Sequence, residues 1–160
     1  MRASVGARRL LGTLGGIPVT ANTPTAKVAL RGPDGEVETL WAYDLGGGRF
    51  RLDNTPWYAY GVSWQDIVQA APDQDGQLQF EKVVEKSGNR TVRITADQPF
   101  TDEWLKRIVE LSASYEGSNR RYLGINIPPG VDLESITSFL TEQNVRWEYA
   151  DPTYEQVHGN

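Results

Sequence analysis

Four aromatic residues, Trp57, Tyr58, Tyr60 and Trp64, crowd into the eight positions 57–64, flanked by Asp53, Asp66, Glu85, Lys86, Asn89 and Arg90. Rings of this kind supply large, rigid contact area, and with carboxylates around them they form a surface suited to a basic protein partner. The same rings next to Lys82, Lys86, Arg90 and Arg93 suit a different use, in which bases stack and phosphates are neutralised. Carboxylates can also work as an acid and base pair when burial splits their pKa values, and Asp53, Asp66, Glu81 and Glu85 lie close enough in sequence to be candidates.

Most other chemistry is absent from the chain. His158 is the sole histidine and stands at the C-terminal end, and there is no cysteine. That leaves no Ser-His-Asp or Cys-His machinery and no histidine or thiolate metal set. Gly46-Gly47-Gly48 lacks the Lys-Ser/Thr pair and following helix of a phosphate loop. Asp73-Gln74-Asp75-Gly76 lacks the distal bidentate glutamate of a calcium loop. No catalytic residue, cofactor or metal is therefore expected.

Composition narrows the partners. The 160 residues carry 39% apolar and 23% charged side chains, as soluble globular domains do. No run reaches the roughly 20 apolar residues of a membrane helix, so no membrane partner is expected. A cysteine-free chain fits the cytoplasm. The formal charge of -5 is uneven, because residues 1–33 hold five cations and no acid, leaving 11 basic and 21 acidic residues in the remainder. An acidic body disfavours nucleic acid as the main partner and favours a protein with a basic face.

The elements that position these residues follow from hydrophobic period and turn chemistry. Residues 1–26, rich in Gly, Ala, Ser, Thr and Arg, read as a loose tail, with an organelle-targeting leader as the alternative. From Lys27 onward short strands are separated by tight turns. Val37, Thr39, Trp41, Tyr43 and Leu45 alternate and are expected to line a core. Phe50 and Leu52 resume the pattern after the glycines. Pro56 biases the chain toward extended structure, so residues 57–60 should cross the barrel or sheet edge as irregular chain, with one helical turn possible near 63–68. Leu78 to Lys86 and Val92 to Ile94 read as two strands joined by a turn at Ser87 to Arg90.

The runs VETLWAYDL, RLDNTPWYAYGVSWQDIVQA and FEKVVEKSGNRTVRI resemble a bacterial domain-of-unknown-function family of the DUF4265 type. The resemblance covers about residues 28–150 and is most specific over 36–95. It implies a bacterial, actinobacterial-type protein and passes on no activity, cofactor or site residue. Trp64-Gln65-Asp66 departs from the pattern, where a glycine beside the aspartate is expected.

The texture changes after Asp97. Thr101 caps a helix with Asp102 and Glu103 in its first turn, a Phe100/Leu105 staple and an apolar face of Trp104, Ile108, Leu111 and Tyr115, ending at Gly117. Residues 121–127 form a strand. Asp132 caps a second helix with a Val131/Ile136 staple, Asn144 ends it, and Val145, Trp147 and Tyr149 alternate in a final strand. The expected fold class is α+β: a small β-barrel or curled antiparallel sheet over 27–96, then a ferredoxin-like βαβαβ part over 91–151 that shares the 91–96 strand, with residues 152–160 as a frayed tail. The expected function is a non-enzymatic protein-binding module, of an immunity or regulatory kind by analogy, contacting its partner through the ten residues named at the outset. The alternatives are a nucleic-acid module using the 82–93 hairpin and a carboxylate enzyme in the cleft between the two parts.

Overall fold

The computed structural model describes residues 23–159, so the expected tail over 1–26 lies outside the described residues as far as Asn22. Five strands form a closed barrel: β1 (Ala26–Arg31), β2 (Val37–Gly46), β3 (Arg49–Leu52), β4 (Ile67–Pro72) and β5 (Leu78–Glu85). Successive strands run antiparallel, and a short parallel pairing of Val28 and Ala29 with Leu78 and Gln79 closes the ring. Gly46, Gly47 and Gly48 all take positive φ at the β2–β3 bend, a run that side-chain-bearing residues resist. Val28, Leu30, Leu40, Phe50, Leu52 and Val68 fill the interior.

The face of β2 is the reverse of the one expected. Glu38, Leu40 and Ala42 point inward, whereas Val37 and Leu45 are 51% and 45% exposed. A five-stranded barrel has little interior room, and Leu40 with Ala42 fits it where Trp41 with Tyr43 does not. The displaced rings are covered from outside by cations: Lys27 Nζ lies 4.5 Å from the Trp41 ring and the Arg51 guanidinium 4.7 Å from Tyr43.

The second part is built from β6 (Arg90–Thr95), α1 (Asp102–Glu110), β7 (Ser114–Asn119), β8 (Tyr122–Ile127), α2 (Leu133–Glu142), β9 (Arg146–Asp151) and α3 (Tyr154–His158). Its sheet has the order β7-β8-β6-β9 with antiparallel neighbours, so the β6-to-β9 stretch is a ferredoxin-like β-α-β-β-α-β unit. Val92, Ile94, Leu105, Ile108, Ile125 and Ile136 meet in one core between the sheet and α1 and α2. Thr101 and Asp132 cap their helices as expected, and Asn144 takes φ 57°.

Beyond the face of β2, the structure departs from the expected elements at four points. α1 stops at Glu110, where Ser112 adopts φ 67°, and Ser114–Asn119 forms a strand in place of the helix that was to run to Gly117. β5 and β6 belong to different sheets, so residues 82–93 link the two parts and form no hairpin. β6 accordingly pairs with β8 and β9 and is not shared with the barrel. Residues 154–158 form a helix with a Thr153/Gln156 capping box, not a frayed end. Among the described residues no helix is long and apolar enough to cross a membrane.

Candidate functional site

The crossing from Asp53 to Asp66 lies between barrel and sheet, and its backbone is held by side chains from both. Glu38, pointing into the joint from β2, accepts the backbone N–H groups of Trp57, Tyr58 and Ala59 at 2.7, 2.8 and 2.9 Å. From the sheet, the Tyr122 hydroxyl donates to the Trp57 carbonyl at 2.6 Å, and the buried Arg93 donates to the Tyr58 and Ala59 carbonyls. Glu116, fully buried, accepts from Asn54 Nδ2 and the Thr55 N–H, both at 3.1 Å. Gly124 leaves the room this needs, because a Cβ there would meet Thr55 Cγ2 at 3.0 Å and the Pro56 carbonyl oxygen at 3.3 Å.

A second polar knot fastens the end of the crossing. Lys86 Nζ lies 2.6 Å from both Asp66 Oδ2 and Asp151 Oδ2, joining a barrel-side carboxylate to a sheet-side one. Asp66 also accepts from the Ser63 and Ser87 N–H groups at 2.9 and 2.8 Å, and Ser63 Oγ donates to Asp151 at 2.6 Å. Such buried carboxylates are tolerable because every one has charged or N–H partners.

These contacts decide where the sequence-derived site residues stand. Asp53, Asp66 and Asn89 are buried, and Trp57, Tyr58 and Trp64 are half-buried, with Trp64 Nε1 directed at Asp53 Oδ1. Of the four rings only Tyr60 is exposed. Asn89 bonds to the Trp64 carbonyl and to Asn126, and Arg90 bonds to the Pro128 and Val131 carbonyls. Glu85 is exposed at the end of β5, opposite Ile67 and beside the knot without a part in it. The ten residues therefore do not form one surface, because most of them hold the two parts together. The basic cluster is dispersed in the same way: Lys86, Arg90 and Arg93 are engaged internally, leaving Lys82 as its exposed member without such a role. Glu38, Arg93, Glu116 and Asp151 carried no local sequence signal, since their partners lie 19 to 88 positions away.

An aromatic and acidic surface does exist, at the outer end of the sheet. Tyr60, Trp147, Tyr149, Tyr154 and His158 line a groove of about 820 Å³ together with Glu148 and Glu155. Trp147 and Tyr149 meet edge-on at 4.9 Å, His158 stacks on Tyr154 at 4.1 Å, and Tyr154 is 59% exposed. The Tyr60 hydroxyl donates to Glu148 at 2.8 Å, while the Arg93 guanidinium lies 4.8 Å behind the Tyr60 ring. Burial, then the Glu148 carboxylate, raises the Tyr60 hydroxyl above its ordinary pKa. An adjoining groove along α2 shares Tyr149 and His158 and adds Asp132, Glu134 and Glu142. The sequence signal for this site was the Thr153-x-x-Gln156 box with Tyr154 behind it, which marks an ordered terminus.

A model of the domain-of-unknown-function family DUF4265 matches residues 38–149. The chain belongs to the DUF4265 family. The DUF4265 match opens at Glu38 and closes at Tyr149, so it spans the crossing, β2 to β8 and most of β9, with β1 before it and α3 beyond it. Among solved structures, a hypothetical protein from Neisseria gonorrhoeae is similar at 24% identity with a TM-score of 0.64, over 81% of this DUF4265 chain and 95% of that one. That likeness concerns the fold. No curated protein matches the chain significantly.

Proposed function

We propose that this DUF4265 chain is a non-enzymatic binding module that recognises a protein with a basic face, and that the groove between Tyr60, β9 and α3 is its contact surface. The observation that carries the reading is the convergence there of exposed tyrosines with Glu148 and Glu155, next to the acids of α2. Rings give contact area and carboxylates steer a cationic partner, and the acidic sequence outside residues 1–33 acts in the same sense. Asp53 and Asp66, which acid–base chemistry would need at an open site, are buried in the frame between the parts. Location in the cytoplasm belongs to the same proposal, supported by a cysteine-free sequence.

The test compares affinity capture from host lysate by the wild-type chain and by a Tyr154→Ala, Glu155→Lys variant, both exposed positions outside the frame. A basic protein retained by the wild type, released by salt and lost by the variant is the expected result. Equal recovery by both chains removes the groove from the interface.

A further inference from the structure

β9 ends the four-stranded sheet: β6 pairs with its inner side, and among the described residues no strand lies on its outer side. Every second residue of such an edge turns its N–H and C=O outward, a row of donors and acceptors that another chain can complete. The protein already uses one end of this row, because Gly61 donates its N–H to the Ala150 carbonyl at 2.8 Å. Chain can therefore lie along this edge. The rest of it runs from Arg146, whose guanidinium pairs with Asp97 at 2.9 Å, into the groove, where side chains from both faces of the strand line it: Tyr60 and Glu148 on one side, Trp147 and Tyr149 on the other. The opposite edge of the sheet is different. β7 slips register within its length, between Glu116 and Asn119, an irregularity that blunts an edge against pairing, whereas the slip on β9 falls at Ala150, beyond Arg146–Tyr149.

We propose that an extended segment of the partner adds to the sheet as a fifth strand along β9, with lysine or arginine at alternate positions. The period of two sends its cations toward Glu148, which Arg93 Nη1 approaches from behind at 3.7 Å while 48% of its side chain stays exposed, and its intervening apolar residues toward Trp147 and Tyr149. Glu155, at the α3 end of the groove, takes a terminal cation. This inference rests on the groove being the contact surface and adds the backbone geometry of the contact.

The probe is a capped pentapeptide, Lys-Val-Lys-Val-Lys, with two derivatives N-methylated at the lysines or at the valines, titrated into the full isotope-labelled chain. In an added strand only one set of amides faces β9. The unmodified peptide is expected to slow exchange of alternate amides within Arg146–Tyr149, and one N-methylated derivative to lose about tenfold in affinity while the other keeps it. If the peptide shifts the Tyr60 and Trp147 signals while β9 amides exchange at the free rate, or both derivatives bind as well as the parent, strand addition is wrong and the groove stands. If no groove signal moves with any peptide, both readings fall.

Discussion

Replacing Glu38 by alanine strands three amide donors, those of Trp57, Tyr58 and Ala59, at the joint between the two parts. A buried donor left without its acceptor costs on the order of 1 kcal/mol or more, so Glu38→Ala is expected to lose about 3 kcal/mol, or roughly 10 °C in melting temperature for a chain of this size. Glu38→Gln keeps one acceptor oxygen and should lose less. A melting curve unchanged by Glu38→Ala would show that the crossing is held by other means. Tyr122 gives the joint a pH dependence. Burial, ahead of the neighbouring charges, pushes its hydroxyl up to about 12. A phenol that ionises near pH 10 when unfolded and near 12 when folded stabilises the protein below about pH 10, and that contribution drains away as pH rises to about 12. Tyr60 and Tyr115 are raised in the same direction, also chiefly by burial. Denaturant melts across pH 9–12 should show the loss, and Tyr122→Phe should flatten it; a Phe variant with the same alkaline slope would assign it elsewhere.

At the scale of the element, helix ends were readable because capping is local: Thr101, Asp132 and Asn144 each act within a few residues of themselves. The phase of β2 was not. Both of its faces carry apolar groups, Leu40 and Ala42 on one, Val37, Trp41, Tyr43 and Leu45 on the other, so alternation identifies a strand without choosing its inner side. Barrel curvature makes the choice. Leu40→Ala is therefore expected to destabilise by about 3 kcal/mol through the cavity it leaves, and Val37→Ala to stay within about 0.5 kcal/mol. Chemical denaturation of the two variants checks the assignment, and the opposite ranking would restore the face read from the sequence. β7 escaped notice because Leu111 and Tyr115 continue the helical spacing of α1, while the break at Ser112 comes from a left-handed turn that serine rarely announces.

At the scale of the molecule, the barrel and the ferredoxin-like sheet share the Asp53–Asp66 crossing and the Lys86 bridge between Asp66 and Asp151. Parts whose buried carboxylates share one half-exposed lysine should open together. Native-state amide exchange is expected to give one global free energy for β2, β4, β6 and β8, and Lys86→Met, which leaves two buried carboxylates facing each other, to lower it throughout. Two separate values in the wild type would mean that the parts unfold independently. The sequence by itself determined what depends on neighbours in the chain: short strands, two capped helices, an acidic composition, a cysteine-free chain and hence an α+β class. Only the tertiary structure decided which aromatics face solvent and which charges are spent, since Asn54 meets Glu116 across 62 positions and Ser63 meets Asp151 across 88. A local pattern records the period of an element, but burial is set by whatever the rest of the chain brings against it, and that information resides in no single stretch.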